Sequence, residues 1–169
     1  MEDKSKGKFE SIRFGRRMFY MKLNPLVRFT KFLLDFMFIG GIVTCIGVPF
    51  IFKKAGDYIS VFEDYYIPYC IVFIIAGIFA VIILWDLRNM FKTVISGDPF
   101  VHENVTSLKR MGICSFLIAL ILIVRLILVV TFTALVLVLV FVIAGLFSLV
   151  LSFVFEKAVT YKQENDLTI

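Results

Sequence analysis

The sequence predicts an all-α fold, an integral membrane four-helix bundle with both termini cytoplasmic. Of the 169 residues, 60% are apolar, whereas soluble domains are usually about half apolar. Four stretches each hold about 20 mostly apolar residues, the length that a helix needs to cross the ~30 Å hydrocarbon layer of a bilayer. Lys and Arg are concentrated near the termini and in the middle loop, which the positive-inside rule places in the cytoplasm.

A basic segment, residues 1–31, precedes the first predicted span and carries nine Lys and Arg residues. The loop after the first span has two basic and three acidic residues, whereas the loop at 86–110 has four basic ones. These basic side chains suit anionic lipid headgroups on the inner leaflet. The basic segment is interpreted as a topology anchor, and no direct binding of nucleic acid is expected.

The first two spans are predicted at residues 32–52 and 66–85. Residues 111–155 contain one charge, Arg125, and at 45 residues the run is too long for a single crossing. It therefore divides into spans at 109–129 and 133–155, with a turn near 129–133 where β-branched residues interrupt the leucine-rich helices. Residues 32–155 then form the transmembrane domain, and residues 156–169 form a cytoplasmic tail.

Small residues in the spans are expected to let the helices approach closely, because water does not drive helix association inside a bilayer. They are Gly40, Gly41, Gly47, Ala76, Gly77, Ala80, Ser115, Ala119, Ala144, Ser148 and Ser152.

The composition disfavours an enzyme and a bound cofactor. Twenty Phe accompany one Trp and one His, and imidazole is the usual group for acid–base and metal chemistry. The three cysteines, Cys45, Cys70 and Cys114, lie in apolar stretches where packing is their expected role. We expect no catalytic residue, no cofactor and no metal.

Two charged residues, Asp35 and Arg125, fall within the predicted spans. They lie at different depths and are not expected to pair. Arg125 can extend to the outer headgroups and meet Glu63 or Asp64, or it can serve a buried function, since an intramembrane charge is costly. Asp35 is shallow enough to reach interfacial water or Lys31.

The loop at 86–110 has apolar residues at three- and four-residue spacing between Leu87 and Ile95. This spacing predicts an amphipathic helix that continues the second span or lies on the inner leaflet. Gly97 is expected to end it. Asp98 before Pro99 suits an N-cap followed by the first residue of the next helix.

Three motifs in the second half of the chain carry a family resemblance: "GDPF" at 97–100 with "EN" at 103–104, "LKRMG" at 108–112, and the closing "QENDLTI". With them the chain resembles domain of unknown function 2975, a family of small bacterial integral membrane proteins with four spans. Members are frequently encoded beside a small helix-turn-helix regulator, which implies a transcription factor as partner. The family has no established catalytic or ligand residues, and the basic N-terminal segment lies outside the resemblance.

The tail after the fourth span is predicted to dock, either on the middle loop near Phe100 and Arg110 or on a soluble partner. Leu167 and Ile169 alternate around Thr168 as in an extended segment, which can pair with an adjacent surface. A frayed polar tail is the alternative. The candidate partner-binding residues are Asp98, Phe100, Glu103, Asn104, Arg110, Glu164, Asn165, Asp166, Leu167 and Ile169.

The leading hypothesis is a non-enzymatic protein of the bacterial cytoplasmic membrane that binds and restrains a small helix-turn-helix regulator in response to a membrane or extracellular signal. The first alternative is an immunity protein whose outer loop, with three acids and four Tyr between residues 53 and 69, meets a cationic membrane-active peptide. A weaker alternative is a small transporter. Homo-oligomers are compatible with all three hypotheses.

Overall fold

A computed structural model describes residues 25–56, 66–128 and 130–167. These residues form four helices: α1 at Pro25–Gly56, α2 at Tyr66–Ser96, α3 at His102–Leu128 and α4 at Phe132–Leu167. Each is long and apolar enough to cross a membrane, as expected of a multi-pass membrane protein. At 1.5 Å per residue, the 36 residues of α4 extend about 54 Å, well beyond the ~30 Å of a hydrocarbon core.

α2 begins at the predicted residue 66 and α4 begins one residue before the predicted 133, whereas α1 and α3 each begin seven residues before their predicted spans and α4 ends twelve residues after its own. The chain is not helical at 130–131, within the predicted turn between the third and fourth spans. The amphipathic stretch after the second span continues α2 without interruption to Ser96, which confirms the first of the two arrangements predicted for it. The middle loop is therefore short, from Gly97 to Val101.

Gly97 ends α2 as predicted. Its φ is 85°, a conformation that costs glycine little and other residues more. The N–H of Gly97 donates to the carbonyl of Val94 at 3.1 Å, and the N–H of Asp98 donates to Thr93 at 3.2 Å. These bonds close the helix end and direct the chain into the turn.

The predicted N-cap at Asp98 is wrong. α3 begins at His102, and the N–H groups of Asn104 and Val105 both donate to the carbonyl of Val101. Pro99 therefore lies in the turn and not in the first turn of the helix. The Asp98 carboxylate instead contacts Lys162 of α4.

Packing within the described ranges occurs between helices adjacent in the chain: α1 with α2, α2 with α3, and α3 with α4. Neighbouring helices run antiparallel, because a residue near the start of one helix contacts a residue near the end of its neighbour in the pairs Tyr66–Pro49, Asn104–Thr93 and Lys109–Glu156. α3 and α4 approach closely at Gly112 and Gly145, where a Cβ on either glycine would lie 3.2 Å from the other's carbonyl oxygen. These two glycines were not among the small residues predicted to lie between helices.

Several of the predicted small residues do lie between helices. Ser115, Ala119, Ser148 and Ser152 are buried, and the Ser148 hydroxyl donates to the carbonyl of Leu108 across the α3–α4 interface at 2.9 Å. Gly41 faces Leu84 and Val81, and Gly77 faces Cys45.

Three other small residues do not face a neighbouring helix in the described part of this chain. Gly40 has no atom within 4 Å of its Cβ position, and the position on Gly47 meets only Ile51 of its own helix. Ala144 is exposed, because Gly145, one residue later on α4, occupies the position that faces α3. The rotation of each helix about its own axis decides which small residue faces the neighbouring helix, and residue spacing alone did not predict that rotation.

The bundle is apolar outside and partly polar inside. Large apolar side chains such as Phe147, Val150 and Phe153 are exposed, which suits contact with lipid tails. The buried side chains include Asp86, Asn104, Ser107, Ser115, Ser148 and Ser152. This distribution is typical of membrane bundles, in which polar groups are satisfied between helices.

Candidate functional site at the basic end of the bundle

The antiparallel order brings four helix ends together: the starts of α1 and α3 and the ends of α2 and α4. We call this the basic end, because eight cationic side chains lie on these segments. They are Arg28, Lys31, Arg88, Lys92, Lys109, Arg110, Lys157 and Lys162. It contains most of the predicted site residues.

The turn between α2 and α3 is joined to the end of α4. Lys162 Nζ donates to both carboxylate oxygens of Asp98, at 2.6 and 2.8 Å. Gln163 Nε2 lies 3.3 Å from His102 Nε2, and the Phe100 and Phe155 ring centroids are 5.4 Å apart. We call residues 97–104 together with residues 155–165 the platform.

Asn104 fixes the shape of the turn within the platform. Asn104 is 2% exposed, and its side-chain amide donates to Thr93 Oγ1 at 2.6 Å and to the Pro99 carbonyl at 2.7 Å. Asn104 was a candidate partner-binding residue, and the structure places its amide inside the platform, where both of its hydrogen bonds are internal. Its role is to tie the start of α3 to the end of α2.

Arg110, another predicted docking residue, is held by a carboxylate that the sequence analysis did not single out. Arg110 Nε donates to Asp86 Oδ2 at 2.7 Å, and its Nη2 donates to Oδ1. The Asp86 side chain is fully buried, whereas that of Arg110 is 53% exposed. The pair joins α2 to α3, and a carboxylate this deep in an apolar helix is itself a signal that an interhelical cation is needed.

Asp35 pairs with Arg88 of α2, a partner other than the interfacial water or Lys31 that its shallow position indicated. Arg88 Nε lies 2.6 Å from Asp35 Oδ1, with both side chains about one-third exposed. The Arg88 guanidinium also lies over the Phe38 ring, 5.4 Å from its centroid. This ion pair joins α1 to α2 at the basic end.

Arg125, in the last turn of α3, lies at the end of the bundle opposite the basic end. Its guanidinium is 5.1 Å from the Tyr69 ring centroid and 5.8 Å from that of Phe73. These cation–π contacts with α2 accommodate the charge among apolar groups. The proposed partners Glu63 and Asp64 lie outside the described residues.

The tail is helical where an extended segment was predicted. α4 continues to Leu167, so the predicted alternation of Leu167 with Ile169 is wrong at Leu167, and Ile169 lies outside the described residues. Glu164 and Asn165 are exposed on the last turns, and Asp166 is helical. Glu103 is also exposed, next in sequence to His102.

The structure also bears on metal and disulfide chemistry. Across the described ranges, no three His, Cys, Asp or Glu side chains are grouped so that they could hold a metal ion. Cys45, Cys70 and Cys114 are free thiols. The contacts at the basic end are ion pairs and hydrogen bonds between helices.

A family model described as "Protein of unknown function (DUF2975)" matches residues 50–169, which is 120 of the 169 residues. The chain belongs to this family. The DUF2975 match includes all of α2, α3 and α4 and therefore the whole platform, whereas most of α1 precedes it. No curated protein and no solved structure is significantly similar to the chain.

Proposed function

We propose that this DUF2975 protein is a non-enzymatic protein of the bacterial cytoplasmic membrane whose platform binds and restrains a small helix-turn-helix regulator. The observation that carries the proposal is the fixed geometry of the platform. Three helix ends are joined there by Asp98–Lys162, His102–Gln163 and Phe100–Phe155 contacts. A surface that is ordered before binding loses less conformational freedom when a partner docks.

The charges of the platform support a DNA-binding partner. Glu103 and Glu164 are exposed. Glu103 follows His102 in the chain and Glu164 follows Gln163, and the side chains of His102 and Gln163 are in contact. A helix-turn-helix protein carries Lys and Arg on the surface that meets phosphates. Acidic side chains on the platform would attract that surface and compete with DNA for it.

Apolar anchors accompany these charges. Phe100 is 42% exposed and Tyr161 is 69% exposed, and aromatic side chains are enriched at the centres of protein interfaces. A docking surface with aromatic anchors and acidic neighbours fits a small basic protein. A stimulus that binds one state of the bundle better than another would shift the bundle toward that state and change the affinity of the platform for the regulator.

The test is a pull-down of the helix-turn-helix protein encoded nearest to this chain's gene, using the full-length chain in detergent. Lys162→Asp places two carboxylates together and is expected to weaken binding at least tenfold. The double variant Asp98→Lys with Lys162→Asp restores an ion pair with the direction reversed and should recover most of the binding. Deletion of residues 164–169 should also weaken it.

Three results would count against the proposal. If the wild-type chain captures no such regulator, the partner class is wrong. If Lys162→Asp and the deletion both bind as the wild type does, the platform is not the docking surface. If Asp98→Lys with Lys162→Asp fails to recover binding while its helix content is normal, the geometry of the platform is not what the partner recognises.

A further inference from the structure

α1 and α2 enclose a groove at the basic end that is separate from the platform. One cavity of about 470 Å³ is lined by Val27, Arg28, Lys31, Phe32, Asp35 and Ile95. A second cavity of about 150 Å³ shares Lys31, Asp35 and Ile95 with it and adds Arg88, Phe91 and Lys92 on α2. The two cavities are therefore adjacent, and we call them together the α1–α2 groove.

The lining of the groove is cationic. Arg28 and Lys31 come from α1, and Arg88 and Lys92 come from α2, against the single carboxylate of Asp35. That carboxylate is already paired with Arg88, so the remaining three cations have no acidic partner among the lining residues. Such a concentration of like charge between two helices favours an anionic ligand.

The groove also continues into an apolar surface. Phe32, which lines the larger cavity, is 67% exposed, and Phe36 one turn further along α1 is 65% exposed; their ring centroids are 6.4 Å apart. On α2, Trp85 lies beneath Lys92, whose Nζ is 5.9 Å from the ring centroid. Trp with a neighbouring Lys is typical of the depth at which headgroups meet hydrocarbon.

We infer that the α1–α2 groove binds one anionic phospholipid, with its phosphate among Arg28, Lys31 and Lys92 and its acyl chains along the exposed phenylalanine face of α1. A free phosphate would satisfy the cations alone, whereas a phospholipid also covers the apolar face. The volume of the larger cavity falls within the ~300–1,000 Å³ range of small-molecule sites. Basic pockets between transmembrane helices suit anionic headgroups on physical grounds.

This inference does not depend on the regulator proposal, because none of the residues that line the groove belongs to the platform. Failure of regulator binding would leave the lipid site untouched, and loss of lipid binding would leave the platform contacts in place. The two ideas can therefore be tested in the same preparation with different variants.

The test is a titration of the full-length, delipidated chain in a neutral detergent with phosphatidylglycerol, read by native mass spectrometry. Phosphatidylcholine is the zwitterionic comparison, and inorganic phosphate is the competitor that represents a free anion. We expect saturable binding of one phosphatidylglycerol, at least tenfold tighter than phosphatidylcholine. Millimolar inorganic phosphate should not displace it.

The variant Arg28→Gln with Lys31→Gln removes two cations from the groove and is expected to weaken phosphatidylglycerol binding about thirty-fold, since each basic side chain near a headgroup contributes about a factor of five. Lys53→Gln with Lys54→Gln is the matched control. It removes the same charge from the exposed opposite end of α1 and should change binding less than twofold.

A second pair of variants guards against misfolding at the start of α1. Lys92→Gln, on α2, should weaken binding several-fold, whereas Lys157→Gln, an exposed lysine of α4 at the same basic end, should not. Equal losses within either pair would mean that net charge attracts the lipid, and the site would be refuted. Displacement by inorganic phosphate, or equal affinity for phosphatidylcholine, would overturn it as well.

Discussion

The ion pair between Asp86 and Arg110 predicts an asymmetry in stability. The Asp86 side chain is fully buried, whereas the Arg110 side chain is 53% exposed. Arg110→Gln would leave a buried carboxylate without its cation, a change that costs about 3–5 kcal/mol of unfolding free energy. Asp86→Asn would leave a guanidinium that water still reaches, and the amide oxygen can accept one of the two hydrogen bonds.

We expect Asp86→Asn to cost only about 1–2 kcal/mol, the scale of one hydrogen bond to a charged group. The two variants should therefore differ by about 2 kcal/mol, which is roughly thirty-fold in the unfolding equilibrium constant. The double variant should be more stable than Arg110→Gln alone, because it removes the unpaired charge together with its partner.

The measurement is reversible unfolding of the purified chain in mixed micelles of neutral detergent and dodecyl sulfate, followed by far-ultraviolet circular dichroism. The control is Lys157→Gln, an exposed lysine on α4, which should shift the unfolding free energy by less than about 0.5 kcal/mol. If Asp86→Asn costs as much as Arg110→Gln, or if the two costs simply add in the double variant, burial of the carboxylate is not what governs the pair.

Three further substitutions test the packing and are read by the same unfolding assay. Gly112→Ala should lower the unfolding free energy by about 1–3 kcal/mol, because its Cβ would lie 2.8 Å from a leucine side chain of α4. The control Gly40→Ala, with no atom within 4 Å, should leave the unfolding free energy unchanged or raise it by up to about 1 kcal/mol. Equal effects would contradict the close approach of α3 and α4. Asn104→Ala should lower the unfolding free energy by about 1–3 kcal/mol, because two hydrogen bonds of a buried amide are lost. Thr106→Ala, at an exposed site, should lower it far less. The reverse order would refute the role of the Asn104 amide in joining α2 to α3. Arg125→Met should keep the contact with two aromatic rings of α2 and remove a charged group whose Nε is buried without a hydrogen bond. We therefore expect it to change the unfolding free energy by less than about 1 kcal/mol. A larger loss would show that the guanidinium stabilises the fold.

The helices and their breaks were accessible from the sequence because they depend on local properties. An apolar run of about 20 residues requires internally satisfied backbone groups, and this condition alone predicts each helix. Gly97 was identified as a helix end because few other residues adopt its positive φ at low cost. The continuation of α2 followed from the spacing of apolar residues up to Ile95.

The tail shows where a local pattern was too short to decide. Two apolar residues on either side of Thr168 fit an extended segment, but the stretch before them, with Lys162, Gln163 and Glu164, is rich in residues that favour a helix. These residues follow directly on the long helix α4, so extension adds hydrogen bonds without a new nucleation step. At Leu167, helix propensity over several preceding residues therefore outweighed the short apolar alternation.

The contacts of the candidate site were less accessible, because they join residues far apart in the chain. Asp98 and Lys162 are 64 residues apart, and their meeting depends on the length and rotation of α3 and α4. Asp86 was placed at the start of a loop, where a carboxylate needs no partner. Only the continuation of α2 past that position buries it and makes a cation on α3 necessary.

The ion pairs at the basic end also account for the order of the helices. Asp86 and Arg88 are two residues apart on α2, which is about 200° around a helix of 3.6 residues per turn, so they point to opposite sides. Asp86 meets α3 through Arg110, and Arg88 meets α1 through Asp35.

On α3, Lys109 and Arg110 also contact different helices. Lys109 pairs with Glu156 of α4 at 3.1 Å, and Arg110 pairs with Asp86 of α2. Small residues such as Gly112 and Gly145 allow close approach of helices but do not distinguish one apolar neighbour from another in a bilayer. A wrong neighbour would leave Asp86 unpaired in an apolar interior, at a cost of several kcal/mol. The charges therefore specify which helices are neighbours, and the glycines set how closely they pack.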